Sequence, residues 1–189
     1  MRARKSAVVL SIVMVTVFQG CSAVPQLVRH RDPLSAVEHL RLGASYEAQG
    51  LNEDAALQYQ AALHLQKNNL SALAACGNLA FKTGNWKTAE TCYRRMVRLD
   101  PDNAGAANNL AMVYLWSGKR LKEAERLALA ALKHGGPLKP YILDTLASIY
   151  GQESRYTEAR QALDEAVRIT PPDNKALLDQ LATTRAKLL

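Results

Sequence analysis

A pattern that returns about every 34 residues constrains this sequence more than any other feature. Four segments align: Ala36–Asn69, Leu70–Asn103, Ala104–Lys139 and Pro140–Asp173. Each opens with a helical apolar pattern carrying a small residue at its eighth place. It then crosses a polar turn, continues with a second helical pattern built around alanine, and ends at a breaker. One helical hairpin cannot bury its apolar face alone, so successive hairpins must stack. The expected fold is all-α.

The second segment shows the pattern most clearly. Gly77 and Ala80 lie on its first helix, Gly84-Asn85 marks the turn, and Trp86 follows. Ala89, Tyr93 and Met96 share a face of its second helix, which Leu99-Asp100-Pro101 ends. The first segment supplies Leu42, Gly43, Tyr46, Ala55, Tyr59 and Ala62, and the fourth Leu146, Ala147, Tyr150, Ala159, Leu163, Ala166 and Pro171. In the third, Leu110, Ala111 and Tyr114 are in register, but Ala124 and Ala131 are shifted by one. A residue has therefore been added at the Gly118–Leu121 turn. Ser35 followed by Glu38 reads as a capping box, and Gly50, Gly84 and Gly118 sit where the chain reverses. Gly135-Gly136-Pro137 and Pro140 predict a wider joint. Lys175–Leu189, with Leu177, Leu178, Leu181 and Leu188, predicts a ninth helix capping the array.

These segments resemble the tetratricopeptide repeat, which favours a small residue at place 8, Tyr at 11, Ala at 20, an aromatic at 24, Ala at 27 and Pro at 32. The resemblance implies a right-handed superhelical solenoid of four helical hairpins, residues 36–174, that binds protein segments. Small residues at places 8 and 20 let the paired helices cross closely, while bulk at places 11 and 24 fills the wider space beyond.

In this family the first helix of each repeat lines a concave groove through places 2, 5, 9, 12 and 13. Carried over, the groove holds Val37, Leu40, Ala44, Glu47 and Ala48, then Ser71, Ala74, Asn78, Phe81 and Lys82. Gly105, Asn108, Met112, Leu115 and Trp116 follow, then Tyr141, Asp144, Ser148, Gly151 and Gln152. Phe81, Met112, Leu115, Trp116 and Tyr141 are more apolar than a solvated face requires and are surplus to the family's core places. With Asn78, Asn108 and Asn109 to bond a backbone, and Lys82 and Asp144 alongside, they form the expected site for a partner's extended segment or amphipathic helix. Packing of Met112 and Trp116 against the enlarged third turn is the alternative. Some members grip a C-terminal carboxylate with two asparagines and several cations. Asn78 and Asn109 match the asparagine places, but Ala74, Gly105 or Tyr141, and Thr145 occupy the basic ones, so that clamp is not expected.

The first twenty residues are of a different kind. Arg2, Arg4 and Lys5 precede an uncharged run, Ala7 to Phe18, too short to span a bilayer comfortably, and Gly20 precedes Cys21. This resembles a bacterial lipoprotein signal, residues 1–20, although Phe18 and Gln19 stand where Leu and a small residue are usual. The resemblance implies a diacylglycerol and an N-acyl chain (palmitate among the usual acyl groups) on Cys21, and no other cofactor. With Ser22 in place of a retention Asp, it implies an outer-membrane anchor facing the periplasm. Two or more acyl chains give durable anchoring. Residues 21–35, with Pro25, Pro33 and the Arg29–Asp32 charged run, read as a tether. A plain secretory signal with an incidental cysteine and an uncleaved anchor are the alternatives.

Charge argues against nucleic acid as the partner. The net charge of +7 falls to about +4 without the three signal cations, and the remaining basic residues are scattered. Cys76 and Cys92 read as buried thiols within helical patterns, with a disulfide after export as the alternative. His30, His39, His64 and His134 are spread without metal-ligand spacing, and no catalytic or phosphate-binding motif is present. Neither an enzyme nor a small-molecule binder is expected. The architecture resembles repeat lipoproteins that help assemble pili, secretion channels or polysaccharide exporters, which implies an envelope protein or peptide segment as partner. A periplasmic chaperone-like binder is the alternative, and self-association through a terminal repeat stays open.

Overall fold

The computed structural model describes residues 33–188. The expected signal, Cys21 and nearly all of the tether lie outside the described residues. The chain divides into two units, residues 1–33 and 34–189, and the second carries the helices.

Nine α-helices occupy the described residues: α1 Ala36–Ala48, α2 Asn52–Leu65, α3 Leu70–Lys82, α4 Trp86–Leu99, α5 Ala104–Trp116, α6 Leu121–His134, α7 Lys139–Gln152, α8 Tyr156–Ile169 and α9 Lys175–Leu188. A single 3₁₀ turn, Gly136–Leu138, fills the wide joint before α7. Each odd helix packs antiparallel on the even helix that follows, and each even helix packs on the next odd one. The result is the stacked array of hairpins that the period predicts, closed by α9 against α7 and α8.

Local chemistry sets the boundaries. Ser35 and Glu38 form the expected capping box, each side chain bonding the other's backbone N–H. Asn69, Asn85, Asn103 and Asn174 accept from the N–H groups of Ala72, Thr88, Ala106 and Leu177, satisfying donors that helix starts leave free. Gly50, Gly84 and Gly118 have φ of +76°, +74° and +64°, which glycine adopts at no steric cost. In the fourth repeat Ser154 takes the same conformation, at φ +59°.

Four residues, 117–120, join α5 to α6, where three join the helices of every other repeat. The extra residue is accommodated by Arg120, itself left-handed at φ +57°. Its guanidinium lies 5.3 Å from the Tyr114 ring centre and donates to Glu90 of the preceding repeat at 2.7 Å. Arg155, in the next such turn, repeats the device. It stands 4.2 Å from the centre of the Tyr150 ring and bonds Glu125, Glu153 and Glu158. Both arginines tie a turn to the repeat before it.

The core follows the repeat places. Ala55, Ala89 and Ala159 at place 20, and Ala124 one place later after the inserted residue, have no exposed surface. Places 8 and 24 are also buried, and Gly43 and Gly77 leave room there for the rings of Tyr59 and Tyr93.

Candidate partner-binding groove

The odd helices present their groove places along one side of the array, and the side chains there divide into three groups. Near the start, Glu47 on α1 accepts from the Tyr59 hydroxyl at 2.9 Å and pairs with Lys82 on α3 at 3.7 Å. Burial, reinforced by the Glu47 acceptor, pushes the Tyr59 phenol up to about 12. The charge of Lys82 is thus already partnered within the protein.

In the middle, Asn78, Phe81, Tyr93, Asn109 and Met112 line a small cavity of about 170 Å³. The Tyr93 hydroxyl donates to Asn78 Oδ1 at 2.7 Å. Asn109, in the same cavity wall, lowers the pKa of this phenol, but burial dominates and takes it to about 12. The two asparagines that match the clamp places therefore converge on one tyrosine of the supporting helix α4. Phe81 is half-buried and meets Trp86 edge to face, with centroids 5.4 Å apart, so it serves packing as well as surface.

Toward the end lies a larger hollow, a cleft of about 590 Å³ walled by α5, α7, α8 and α9. Met112, Leu115 and Trp116 form its apolar wall, and Asp144, Thr145, Ser148 and Gln152 its opposite side. Trp116 is 60% exposed. Asp144 is 8% exposed; its Oδ2 accepts from Gln180 Nε2 of α9 at 2.6 Å, while its buried Oδ1 meets no donor among the described residues. A buried carboxylate oxygen without a donor costs free energy, and this one has no accessible surface of its own.

Three expected groove residues need correction. Leu115 is a core residue, 5% exposed, and only borders the cleft, because α5 is enclosed by repeats on both sides. Asn108 is 7% exposed, with Nδ2 directed to Met112 Sδ at 3.7 Å, so it is not a free surface amide. Asp144 is buried under α9 instead of standing on an open face. Tyr141 is 40% exposed but borders neither of these two cavities.

The cleft also uses residues that sequence reasoning left out: Tyr156 on α8, and Gln180, Thr183, Thr184, Lys187 and Leu188 on α9. Four of them stand at places 5, 9, 12 and 13 when α9 is counted from Ala176, so the last helix continues the groove as well as capping the core. Gly151 makes this approach possible, since any side chain there would collide with Leu188.

Comparison with known proteins agrees with this fold. Tetratricopeptide-repeat family models match residues 75–141 and 141–173. Among curated relatives, human protein O-mannosyl-transferase TMTC1 is 28% identical over 148 residues, which is 78% of this chain and 16% of that protein. The Caenorhabditis elegans tetratricopeptide repeat-containing protein trd-1 is 34% identical over 103 residues, 54% of this chain and 13% of that one. The chain spans less than a fifth of either relative. A tetratricopeptide repeat protein from Parabacteroides merdae superposes with a TM-score of 0.72 at 20% identity, covering 83% of this chain and 59% of that one. Pseudomonas aeruginosa pilF gives 0.65 at 20% identity over 83% and 74%. MamA gives 0.64 at 20% identity over 70% and 77%. At such identities these structures speak for the fold alone. The family matches together span more than half of the sequence and coincide with the stacked hairpins, so this chain belongs to the tetratricopeptide-repeat family.

Proposed function

We propose that this protein is a lipid-anchored scaffold of the bacterial envelope that holds a segment of another envelope protein in the cleft between α5, α7 and α9. The observation that carries the reading is that one cleft is lined by both the exposed Trp116 and the carboxylic side chain of Asp144. A partner segment would lay an apolar side chain against Trp116 and Met112 and bring a backbone N–H or a cationic side chain to Asp144. Such a contact replaces water around an aromatic surface and supplies a charge-assisted hydrogen bond to a desolvated carboxylate.

Anchoring through Cys21, with the repeats facing the periplasm at the outer membrane, rests on the signal-like first twenty residues. It would raise the local concentration of the groove beside membrane-bound machines. The fold shared with pilF supports testing pilus components first, ahead of secretion or polysaccharide-export components.

The test is a crosslinking pull-down from the native envelope with the intact protein and with a Trp116→Ala/Asp144→Asn variant of verified helicity. One dominant envelope component, lost in the variant, supports the scaffold reading. Many weakly held apolar peptides would instead indicate the chaperone-like binder. An unchanged set of captured proteins removes the cleft from consideration.

A further inference from the structure

Cys76 on α3 and Cys92 on α4 face each other inside the second hairpin, Sγ to Sγ at 3.1 Å, and both are free and buried. Packing of the repeat does not require sulfur at either position. The places that correspond to Cys76 hold Leu42, Leu110 and Leu146, and those that correspond to Cys92 hold Gln58, Leu127 and Ala162. The cysteines therefore coincide on one hairpin of the four, and they coincide in contact.

Both thiols are almost equally buried, Cys76 at 7% and Cys92 at 5% exposed, but they differ in what lies beside them. Cys76 borders a cavity of about 390 Å³ with Asn52, Glu53, Gln60 and Asn85 among its walls. Cys92 is not among the residues that line it. We infer that Cys76 and Cys92 are a dithiol modification site, which a small disulfide such as oxidised glutathione converts to an intramolecular disulfide through Cys76.

The step balances as thiol–disulfide exchange. The Cys76 thiolate attacks one sulfur of the oxidant, forming a mixed disulfide and releasing one glutathione thiolate. The Cys92 thiolate then attacks Cys76 Sγ, closing the Cys76–Cys92 bond and releasing the second glutathione. Two electrons pass to the oxidant, and the two protons pass to solvent and the leaving thiolates. The hydrogen bond from Cys92 lowers the Cys76 pKa, whereas that bond and burial raise the Cys92 pKa, which is the order the two attacks require. Closure would join the two helices that carry Asn78, Phe81 and Tyr93. This inference does not depend on what occupies the groove.

The test uses the full chain with Cys21→Ser, so that only these two thiols react. The protein is equilibrated in a fixed ratio of reduced to oxidised glutathione, in native buffer and in urea, then acid-quenched, alkylated and mapped by mass spectrometry. The expected result is an unlabelled Cys76–Cys92 linked peptide, lost on reduction with dithiothreitol. Its equilibrium constant should be at least tenfold higher in native buffer than in urea, because the fold holds the sulfurs together. The oxidised protein should also melt several degrees higher than the reduced one, a difference absent in Cys92→Ser. Full alkylation of both thiols, a product that stops at glutathione on Cys76, or a constant no higher than in urea would overturn the inference.

Discussion

Gly77 on α3 and Tyr93 on α4 share a single volume: a Cβ built on the glycine would lie 2.8 Å from Tyr93 Cε1. Gly43 and Tyr59 repeat the relationship one hairpin earlier, at 2.5 Å. The later repeats carry different residues at the corresponding places, Ala111 with Ala128 and Ala147 with Leu163, all buried. Tyrosine at place 24 thus goes with glycine at place 8, and alanine at place 8 goes with a smaller side chain. Gly77→Ala should destabilise by about 1–3 kcal/mol through overpacking. Gly77→Ala/Tyr93→Leu, the combination of the fourth repeat, should recover at least half of that relative to Tyr93→Leu alone. Urea unfolding of the four-member cycle measures the coupling, and strict additivity would refute the shared volume.

The two tyrosines that use this space also predict alkaline behaviour. Both phenols are raised to about 12 from an ordinary value of 10.0, chiefly by burial, so the folded state holds these protons more tightly. Their contribution is fully present below pH 10 and is lost as pH rises from about 10 to about 12. The urea midpoint should fall across that window. Tyr59→Phe/Tyr93→Phe should flatten the fall, as followed by circular dichroism.

On the acid side the Arg155 cluster makes the opposite prediction. Its hydrogen bonds hold Glu153 and Glu158 below their ordinary value of 4.5, so the stability they add is present above that value and is lost as pH falls beneath it. Arg155→Ala should lower the melting temperature by a few degrees at pH 7 and reduce its slope between pH 5 and pH 3. Arg155→Lys should recover little, because an ammonium provides neither the planar fork nor the stacking on Tyr150.

Leu181 is 1% exposed and Leu177 2%, so α9 is fixed by two fully buried leucines. Leu181→Ala should cost about 2–4 kcal/mol. It should also loosen the cleft wall formed by Gln180, Thr184 and Leu188. Hydrogen exchange should show protection lost first in α9 and then in α7, with α1 to α4 unchanged.

Trp116 and Asp144 separate binding from stability. Because Trp116 is mostly exposed, Trp116→Ala should change stability by less than about 0.5 kcal/mol. It should weaken capture of a cleft-bound segment roughly tenfold or more, the loss typical of an aromatic anchor. Asp144→Asn keeps an acceptor for Gln180 and removes the charge, so a cationic partner segment should lose affinity with little change in melting temperature. Calorimetric titration with the captured partner's segment distinguishes the two effects.

The repeat fold was readable because its signals are local. Small residues eight places into each segment, the Ser35–Glu38 capping box, glycines at reversals and the one-residue shift near Gly118 each act within a turn or two of chain. The structure places helices, caps and the inserted residue where those signals predict. Exposure at the groove was not readable to the same degree, because it depends on neighbours far along the chain. Leu115 and Trp116 are adjacent in sequence and both lie at groove places, yet flanking repeats bury one and leave the other exposed. Asp144 carries the same chemistry anywhere on α7. It becomes a desolvated acceptor only because α9, 36 positions later, folds over it and occupies one of its two oxygens. The sequence likewise shows two cysteines on two helices, but their contact depends on the crossing of α3 and α4. Short-range patterns determined the helices and their order; packing between helices decided which side chains are hidden, which are paired and which remain open to a partner.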